Sequence, residues 1–226
     1  MKNFFYNFIA VIVIVLCVMA CGKDNQDGPT SRLSGKITYN GTNLNVQGSS
    51  SAIQLQLYQD GFGKYGPITV YVGQDGTFSA ELFDGTYKLV TKNGNGPWVN
   101  TRDTTIVNVK GNTNVELKLT PYFLVSNATI QFTNNSVSGT FNIEKVIPTA
   151  QVDFVKLILS STQFVDEQNN IIAVTASGVE GPNTVSSSIS GQPAIELNAA
   201  HSIYGRISVR AKGADQSIYS DIVKLK

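Results

Sequence analysis

Hydrophobic and polar residues alternate along most of the chain from Arg32 onward. The two-residue period is clearest in the runs 53–57, 68–72, 115–119 and 207–211. Side chains of an extended strand point alternately to opposite faces, so this pattern is typical of half-buried strands in antiparallel sheets. Helical periodicity is almost absent over the same region. The pattern therefore predicts an all-β chain.

Turn residues separate the predicted strands at short intervals. Aspartate or lysine precedes glycine at 75–76, 84–85, 110–111 and 212–213. Glycine adopts the positive φ values that tight turns require. Short strands with such punctuation predict β-sandwiches.

The second half of the chain follows the same pattern up to one interruption. The runs 137–146 and 152–160 predict further strands, whereas the Ser-, Gly- and Asn-rich stretch 179–191 predicts a loop. Pro121 stands between two strand-like runs, and proline cannot donate to a central ladder. We therefore expect two consecutive antiparallel β-sandwiches, over residues 32–120 and 121–226.

The N-terminus has the order of a secretory signal. Lys2 precedes an apolar run of 13 residues, Phe8–Ala20, which ends at Cys21. That run is shorter than the roughly 20 residues of a membrane-spanning helix. A cysteine at the cut position resembles the bacterial lipoprotein signal, which implies a signal peptide over 1–20, acylation of Cys21 and a lipid-anchored tether over 21–31. The alternatives are an ordinary cleaved signal and an N-terminal anchor helix.

Composition excludes several classes of function. The chain has two cysteines, and cleavage before Cys21 would leave only that one, so no internal disulfide can support the fold. The 17 Lys and Arg residues nearly balance the 16 Asp and Glu residues. Nucleic acid and anionic lipid surfaces both require basic clusters, so neither is an expected partner.

Catalytic and metal-binding patterns are weak. His201 is the only histidine, which excludes a multi-histidine metal site and leaves any Ser-His-Asp triad dependent on a single residue that precedes a strand. We expect His201 to be an exposed turn residue. The oxygen-rich segment 166–170 lacks the spaced acidic ladder of an EF-hand, and we expect it to be a solvated loop. The sequence predicts no enzyme, no cofactor and no metal site.

Two segments resemble known β-sandwich families. The first half has the order Gly-x-Ile at 35–37, Asp-Gly-x-Phe at 75–78 and Leu-x-x-Gly-x-Tyr-x-Leu at 82–89. This order resembles the carboxypeptidase-regulatory, or transthyretin-like, β-sandwich. The runs 203–213 and 219–225 are similar to the last hairpin of fibronectin type III and other immunoglobulin-like sandwiches.

The complete set of features resembles a family of uncharacterised two-domain outer-membrane lipoproteins of Bacteroidetes, encoded beside glycan importers of the SusC/SusD type. The resemblance implies a protein anchored in the outer membrane through Cys21, at the cell surface rather than on the periplasmic face. It also implies that polysaccharide and SusC/SusD-type proteins are partners.

Aromatic residues in glycine-rich loops are the best candidates for ligand contact. Sugar rings stack on aromatic faces while their hydroxyls bond to amides, and loops on a rigid sandwich can bring such groups together. The loops 60–67 and 93–100 supply these candidates: Phe62, Tyr65, Asn95, Trp98 and Asn100. For Trp98, a buried plug at a sandwich end or at the interdomain joint is the alternative.

The sequence therefore predicts a non-catalytic, accessory glycan-binding lipoprotein of a polysaccharide-utilisation system. The alternative is a structural or adhesive subunit, fimbria-like or part of an importer scaffold, which binds protein partners instead of glycan.

Overall fold

The computed structural model describes residues 27–61, 66–101 and 103–226. Most of the regular structure in these ranges is β-strand, arranged as two consecutive groups of sheets. The prediction of an all-β, two-domain fold is confirmed.

The first domain contains eight strands among the residues described. They are β1 (Ser31–Tyr39), β2 (Thr42–Asn43), β3 (Gln54–Tyr58), β4 (Ile68–Tyr71), β5 (Thr77–Leu82), β6 (Gly85–Thr91), β7 (Thr105–Val109) and β8 (Asn112–Lys118). One sheet has the order β2-β1-β5, and the other has the order β4-β3-β6-β7. These pairs are antiparallel as predicted, but β8 joins β1 as a parallel partner.

The two sheets of the first domain enclose a core built by alternation. Leu33 and Ile37 of β1 are fully buried, while Arg32 and Lys36 lie exposed on the opposite face of the strand. Gly35 allows close approach, since a Cβ there would stand 2.5 Å from both the Phe78 ring and the Val115 carbonyl oxygen.

The second domain contains two sheets and one short helix in the range described. Its elements are β9 (Phe123–Thr133), β10 (Ser136–Lys145), β11 (Val152–Ser160), β12 (Ile172–Ala176), β13 (Gly181–Ser188), α1 (Gly191–Ala199), β14 (Tyr204–Ala211), β15 (Ile218–Tyr219) and β16 (Val223–Lys224). The smaller sheet has the order β13-β10-β9. The larger has the order β12-β11-β14-β15, with β16 also paired to β14.

The predicted loop at 179–191 is wrong over most of its length. Residues Gly181–Ser188 form β13, which pairs with β10 and buries only Val185. A strand that buries one apolar side chain carries almost no hydrophobic alternation, which is why the pattern missed it. The helix α1 follows, with Pro193 in its first turn, where the missing N–H costs no hydrogen bond. No helix in the described part of the chain is long and apolar enough to span a membrane.

The first domain covers part of the outer face of the larger sheet of the second domain. Arg206 lies on that face and is nevertheless buried. The segment between β2 and β3 lies against it, and the Tyr219 N–H donates to the Asn45 carbonyl at 3.0 Å. The two domains therefore meet across a sheet face as well as through the chain that links them.

Candidate functional site

Trp98, the predicted stacking residue, lies inside the joint where the chain passes between the domains. Only 3% of its surface is exposed, and it forms an isolated β-bridge with Pro121. The indole packs over Gly96, where a Cβ would stand 2.2 Å from the ring. Because the indole has no open face for a sugar ring, the prediction is corrected: Trp98 occupies the alternative position of a buried plug at the joint.

Asn95 and Asn100 of the same loop make hydrogen bonds within the protein. Asn95 accepts a hydrogen bond from the Gln54 N–H at 2.7 Å and donates to the Ala52 carbonyl at 2.6 Å. Both ends of its amide thus hold the start of β3. Asn100 is exposed and donates to the Asn93 side chain.

The remaining predictions concern Phe62, Tyr65, Cys21 and His201. Phe62, Tyr65 and Cys21 lie outside the described residues. His201 lies exposed in a bend before β14.

A buried arginine holds the domains together at a second place. Arg206 is 1% exposed. It donates from Nε to the Ser220 carbonyl at 2.8 Å and, across the interface, from Nη1 to Val46 at 3.1 Å and from Nη2 to Gln74 at 2.9 Å. Its guanidinium lies 4.6 Å from the centre of the Tyr219 ring. Burial lowers the pKa of Arg206 to about 10, which leaves it protonated at neutral pH.

Asp166, in the loop after β11, makes another contact between the two domains. It is buried, and its two carboxylate oxygens accept from the Ser49 N–H at 2.9 Å and from the Ser49 hydroxyl at 2.7 Å. They also accept from the backbone N–H groups of Gln168 and Asn169, both at 2.9 Å. We call Arg206 and Asp166 the interdomain clasp. The expectation of a solvated loop is wrong for Asp166, because its oxygens are occupied by protein donors.

Glu167 fixes the same loop to the second domain. Its carboxylate accepts from Lys156 Nζ at 2.8 Å and from the Ser217 hydroxyl, and it lies 3.5 Å from Arg210 Nη2. Burial alone would raise the pKa of Glu167. The hydrogen bonds from Lys156 and Ser217 and the charges of Arg210 and Lys156 outweigh burial and lower this pKa. The two adjacent carboxylates therefore attach the loop to both domains.

Phe164 projects from this anchored loop into solvent. Its side chain is 58% exposed, although Val165 beside it is completely buried. The Asn169 side chain donates to the Phe164 carbonyl. A large exposed apolar ring on a segment fixed by buried neighbours is a preorganised contact surface.

Phe164 stands at one end of a cleft between the domains that has a mixed polar and apolar lining, which we call the interdomain groove. It consists of two adjoining cavities of about 360 and 610 Å³ that share Asn45, Asp75 and Asp221. The Asn45 amide donates to the Asp221 carboxylate at 2.8 Å. Phe164 lines the smaller cavity, and the larger one continues towards polar residues on both domains: Thr42, Asn43, Ser126, Asn127 and Glu144.

The groove combines an aromatic face with amides, hydroxyls and carboxylates. This is the chemistry of a hydroxyl-rich ligand with an apolar ring face. Across the described residues, no group of three or more His, Cys, Asp or Glu side chains is placed to hold a metal ion.

Comparison with known protein families found matches over both domains of the chain. Residues 31–120 match the family model described as "Protein of unknown function (DUF3823) N-terminal domain", and residues 123–224 match "Domain of unknown function (DUF3823_C)". A search of curated proteins found no match.

Solved structures of bacterial proteins share the fold. A DUF3823 family protein from Parabacteroides merdae is 49% identical, with a TM-score of 0.84 over 88% of this chain and 100% of that one. One from Bacteroides ovatus is 30% identical, with a TM-score of 0.76 over 86% and 98% of the two chains. A Bacteroides uniformis structure named a "putative carbohydrate binding protein" is 19% identical, with a TM-score of 0.73 over 88% and 100%.

Proposed function

The chain belongs to the two-domain DUF3823 family, and from that premise we propose that it is a non-catalytic glycan-binding protein of the cell envelope. Its ligand lies in the interdomain groove, with one sugar ring stacked on Phe164. The amides and carboxylates of Asn45, Asp75 and Asp221 contact the sugar hydroxyls.

The observation that carries this proposal is the position of Phe164. Most of the ring is exposed, yet Asp166 and Glu167 hold its loop to both domains. The anchored loop holds this exposed ring beside a cleft, and that position favours contact with a ligand. The ring adjoins a groove whose lining mixes apolar side chains with amides and carboxylates, which favours a sugar over a purely apolar ligand.

The comparisons support the same class of function without extending it to residues. The Bacteroides uniformis protein with the carbohydrate-binding name has the same fold as this chain. At 19% identity, that likeness concerns the fold alone.

We also propose that the protein is anchored in the outer membrane through acylated Cys21 and works at the cell surface beside an importer of the SusC/SusD type. The sequence order Val18-Met19-Ala20-Cys21 and the short tether after it support this anchoring. A surface lipoprotein that captures glycan would supply such an importer. Labelling with a radioactive fatty acid and its loss in Cys21→Ser would test the anchor.

The glycan proposal is tested by affinity electrophoresis of residues 22–226 in gels that contain neutral polysaccharides, such as glucans, mannans, xylans and galactans. We expect retardation by at least one polymer, and loss of most of it in Phe164→Ala, because stacking on an aromatic ring contributes about 1 kcal/mol or more.

Phe83→Ala is the matched control, since Phe83 is 53% exposed but lies outside the groove. It should leave both retardation and melting temperature almost unchanged. Equal retardation of wild type and Phe164→Ala, or no retardation by any polymer, would contradict the proposal. The second outcome would favour the alternative of a scaffold that binds protein partners.

A further inference from the structure

A second concave surface lies on the first domain, on the outer face of the sheet formed by β5, β1 and β8. It is an open pocket of about 620 Å³, which we call the sheet-face pocket. The polar and aromatic residues that line it include Arg32, Ser34, Lys36, Tyr71, Ser79 and Asn114. It shares no lining residue with the interdomain groove.

The alternation of β1 places two cations on this face. Arg32 and Lys36 are separated by four strand positions, hence by about 13 Å. Ser34 lies between them on the same face, while Leu33 and Ile37 point into the core. The cations therefore stand at two ends of a floor that carries hydroxyl groups.

Neither cation forms an ion pair with a neighbouring carboxylate of the described chain. Glu81 is the register partner of Arg32, and Glu116 is the register partner of Lys36. No ion pair within 4.0 Å joins either pair, and Glu116 instead accepts from the Thr38 hydroxyl at 2.8 Å. Both cations are thus available to a ligand.

An aromatic ring from the other sheet completes the rim. Tyr71 of β4 is 52% exposed. The following residue, Val72, pairs with Phe78 of β5 in an isolated bridge, which brings the end of β4 against this sheet. The bridge explains how a side chain from one sheet comes to line a pocket on the other.

We propose that the sheet-face pocket is a second binding site, for an anionic saccharide chain that carries carboxylate or sulfate groups. Arginine binds both groups through paired N–H donors, and lysine adds a point charge further along the chain. The Tyr71 ring can stack on a sugar face, and Ser34, Ser79 and Asn114 match sugar hydroxyls. Two cations, each with a glutamate on the adjacent strand, do not form the basic face that nucleic acid requires, and the net charge of the chain is only +1.

The test compares polymers that differ in charge but keep their rings. Calorimetry would measure binding of residues 22–226 to polygalacturonate and its methyl ester, and to sulfated carrageenan and the same carrageenan after chemical desulfation. We expect the anionic member of at least one pair to bind, and its neutral partner to bind at least about tenfold more weakly, because a charge-assisted hydrogen bond is lost. Polyglutamate serves as an anionic polymer without sugar rings and should bind as weakly as the neutral polymers.

Variants of exposed residues locate this binding. Arg32→Gln combined with Lys36→Gln should weaken binding of the anionic polymer at least about tenfold. Tyr71→Ala should weaken the same binding about threefold or more. Lys224→Gln, an exposed lysine on the second domain, is the matched control and should change nothing. Equal melting temperatures of all variants would show that their folds are intact.

Several outcomes would overturn the proposal: no binding to either anionic saccharide, equal binding to a charged polymer and its neutral partner, equal binding to polyglutamate, or binding that survives in the double variant. Phe164→Ala should leave anion binding unchanged. Failure at this pocket and failure of the glycan proposal for the groove therefore give different results.

Discussion

The interdomain groove takes its shape from strands and loops of two domains that are held together by buried polar groups, whereas the sheet-face pocket takes its shape from strands of the first domain. The larger cavity of the groove and the pocket have nearly equal volumes, about 610 and 620 Å³. The pocket presents side chains that β1 would place outward in any stable form of its sheet. The groove exists only while the domains keep their relative position.

This difference shows where each site is vulnerable. A change at Arg206, which lines the smaller cavity, or at the buried Asp166 should alter the groove, because these residues hold the domains and the Phe164 loop. The sheet-face pocket should respond only to its own side chains. Three buried changes, taken from the largest expected effect to the smallest, test this contrast.

Arg206→Ala should have the largest effect. It removes the donors to the Ser220, Val46 and Gln74 carbonyls and leaves a cavity in the interface. Each buried acceptor that loses its donor costs about 1–3 kcal/mol, and we expect the free energy of unfolding to fall by about 3–4 kcal/mol. Urea denaturation followed by circular dichroism would measure it.

The matched control is Arg32→Ala, which removes an exposed arginine and should change the free energy of unfolding by less than about 0.5 kcal/mol. The two variants should have opposite effects on binding. Arg206→Ala should weaken glycan binding in the groove and leave anion binding at the sheet-face pocket unchanged. Arg32→Ala should weaken anion binding at the pocket and leave glycan binding in the groove unchanged. Equal losses of stability in the two variants would contradict the contrast.

Asp166→Ala should have the next largest effect. Its carboxylate accepts from two donors of Ser49 and from two N–H groups of its own loop, and all four are left without this acceptor. We expect the free energy of unfolding to fall by about 2–3 kcal/mol and the groove to lose affinity as the Phe164 loop loosens. Asp153→Ala, at an exposed position of β11, is the control. Unchanged glycan affinity in Asp166→Ala would show that the clasp does not position Phe164.

Most strands of the fold could be predicted from the sequence because burial on one side of a sheet produces a period of two in the chain. The runs 137–146 and 152–160 coincide closely with β10 and β11. The strand β13 was not predicted because it buries a single apolar residue. The helix α1 was not predicted because only Ala194 and Leu197 of its nine residues are buried.

The groove could not be predicted in the same way, because its supporting residues depend on tertiary contacts. In β14 the alternation assigns Arg206 to the solvent face, yet it is buried and donates to two carbonyls of the first domain. Asp166 similarly resembles a solvated loop acid until Ser49 approaches it from the other domain. A local signal did exist at Phe164 and Val165, an apolar pair within a polar segment.

Glu167→Gln should have the smallest effect of the three and should depend on pH. The pKa of Glu167 is lowered in the folded protein, so its charge stabilises the fold above the ordinary glutamate pKa of about 4.3. That stabilisation disappears as the pH falls through the folded pKa. At pH 7 we expect the variant to lose about 1–2 kcal/mol of the free energy of unfolding, since Gln keeps an acceptor for Lys156 but loses the charge.

Urea denaturation of wild type and variant at pH 7 and at about pH 3 would show the difference between them shrinking towards zero in acid. Glu180→Gln is the matched control, because its ion pair with Lys145 at 3.6 Å is largely exposed and should contribute less than about 0.5 kcal/mol at either pH. An equal loss at both pH values for Glu167→Gln would mean that packing of the loop, rather than the Glu167 charge, holds Phe164 in place. In that case the groove would keep its glycan affinity in acid while the charge of Glu167 is lost.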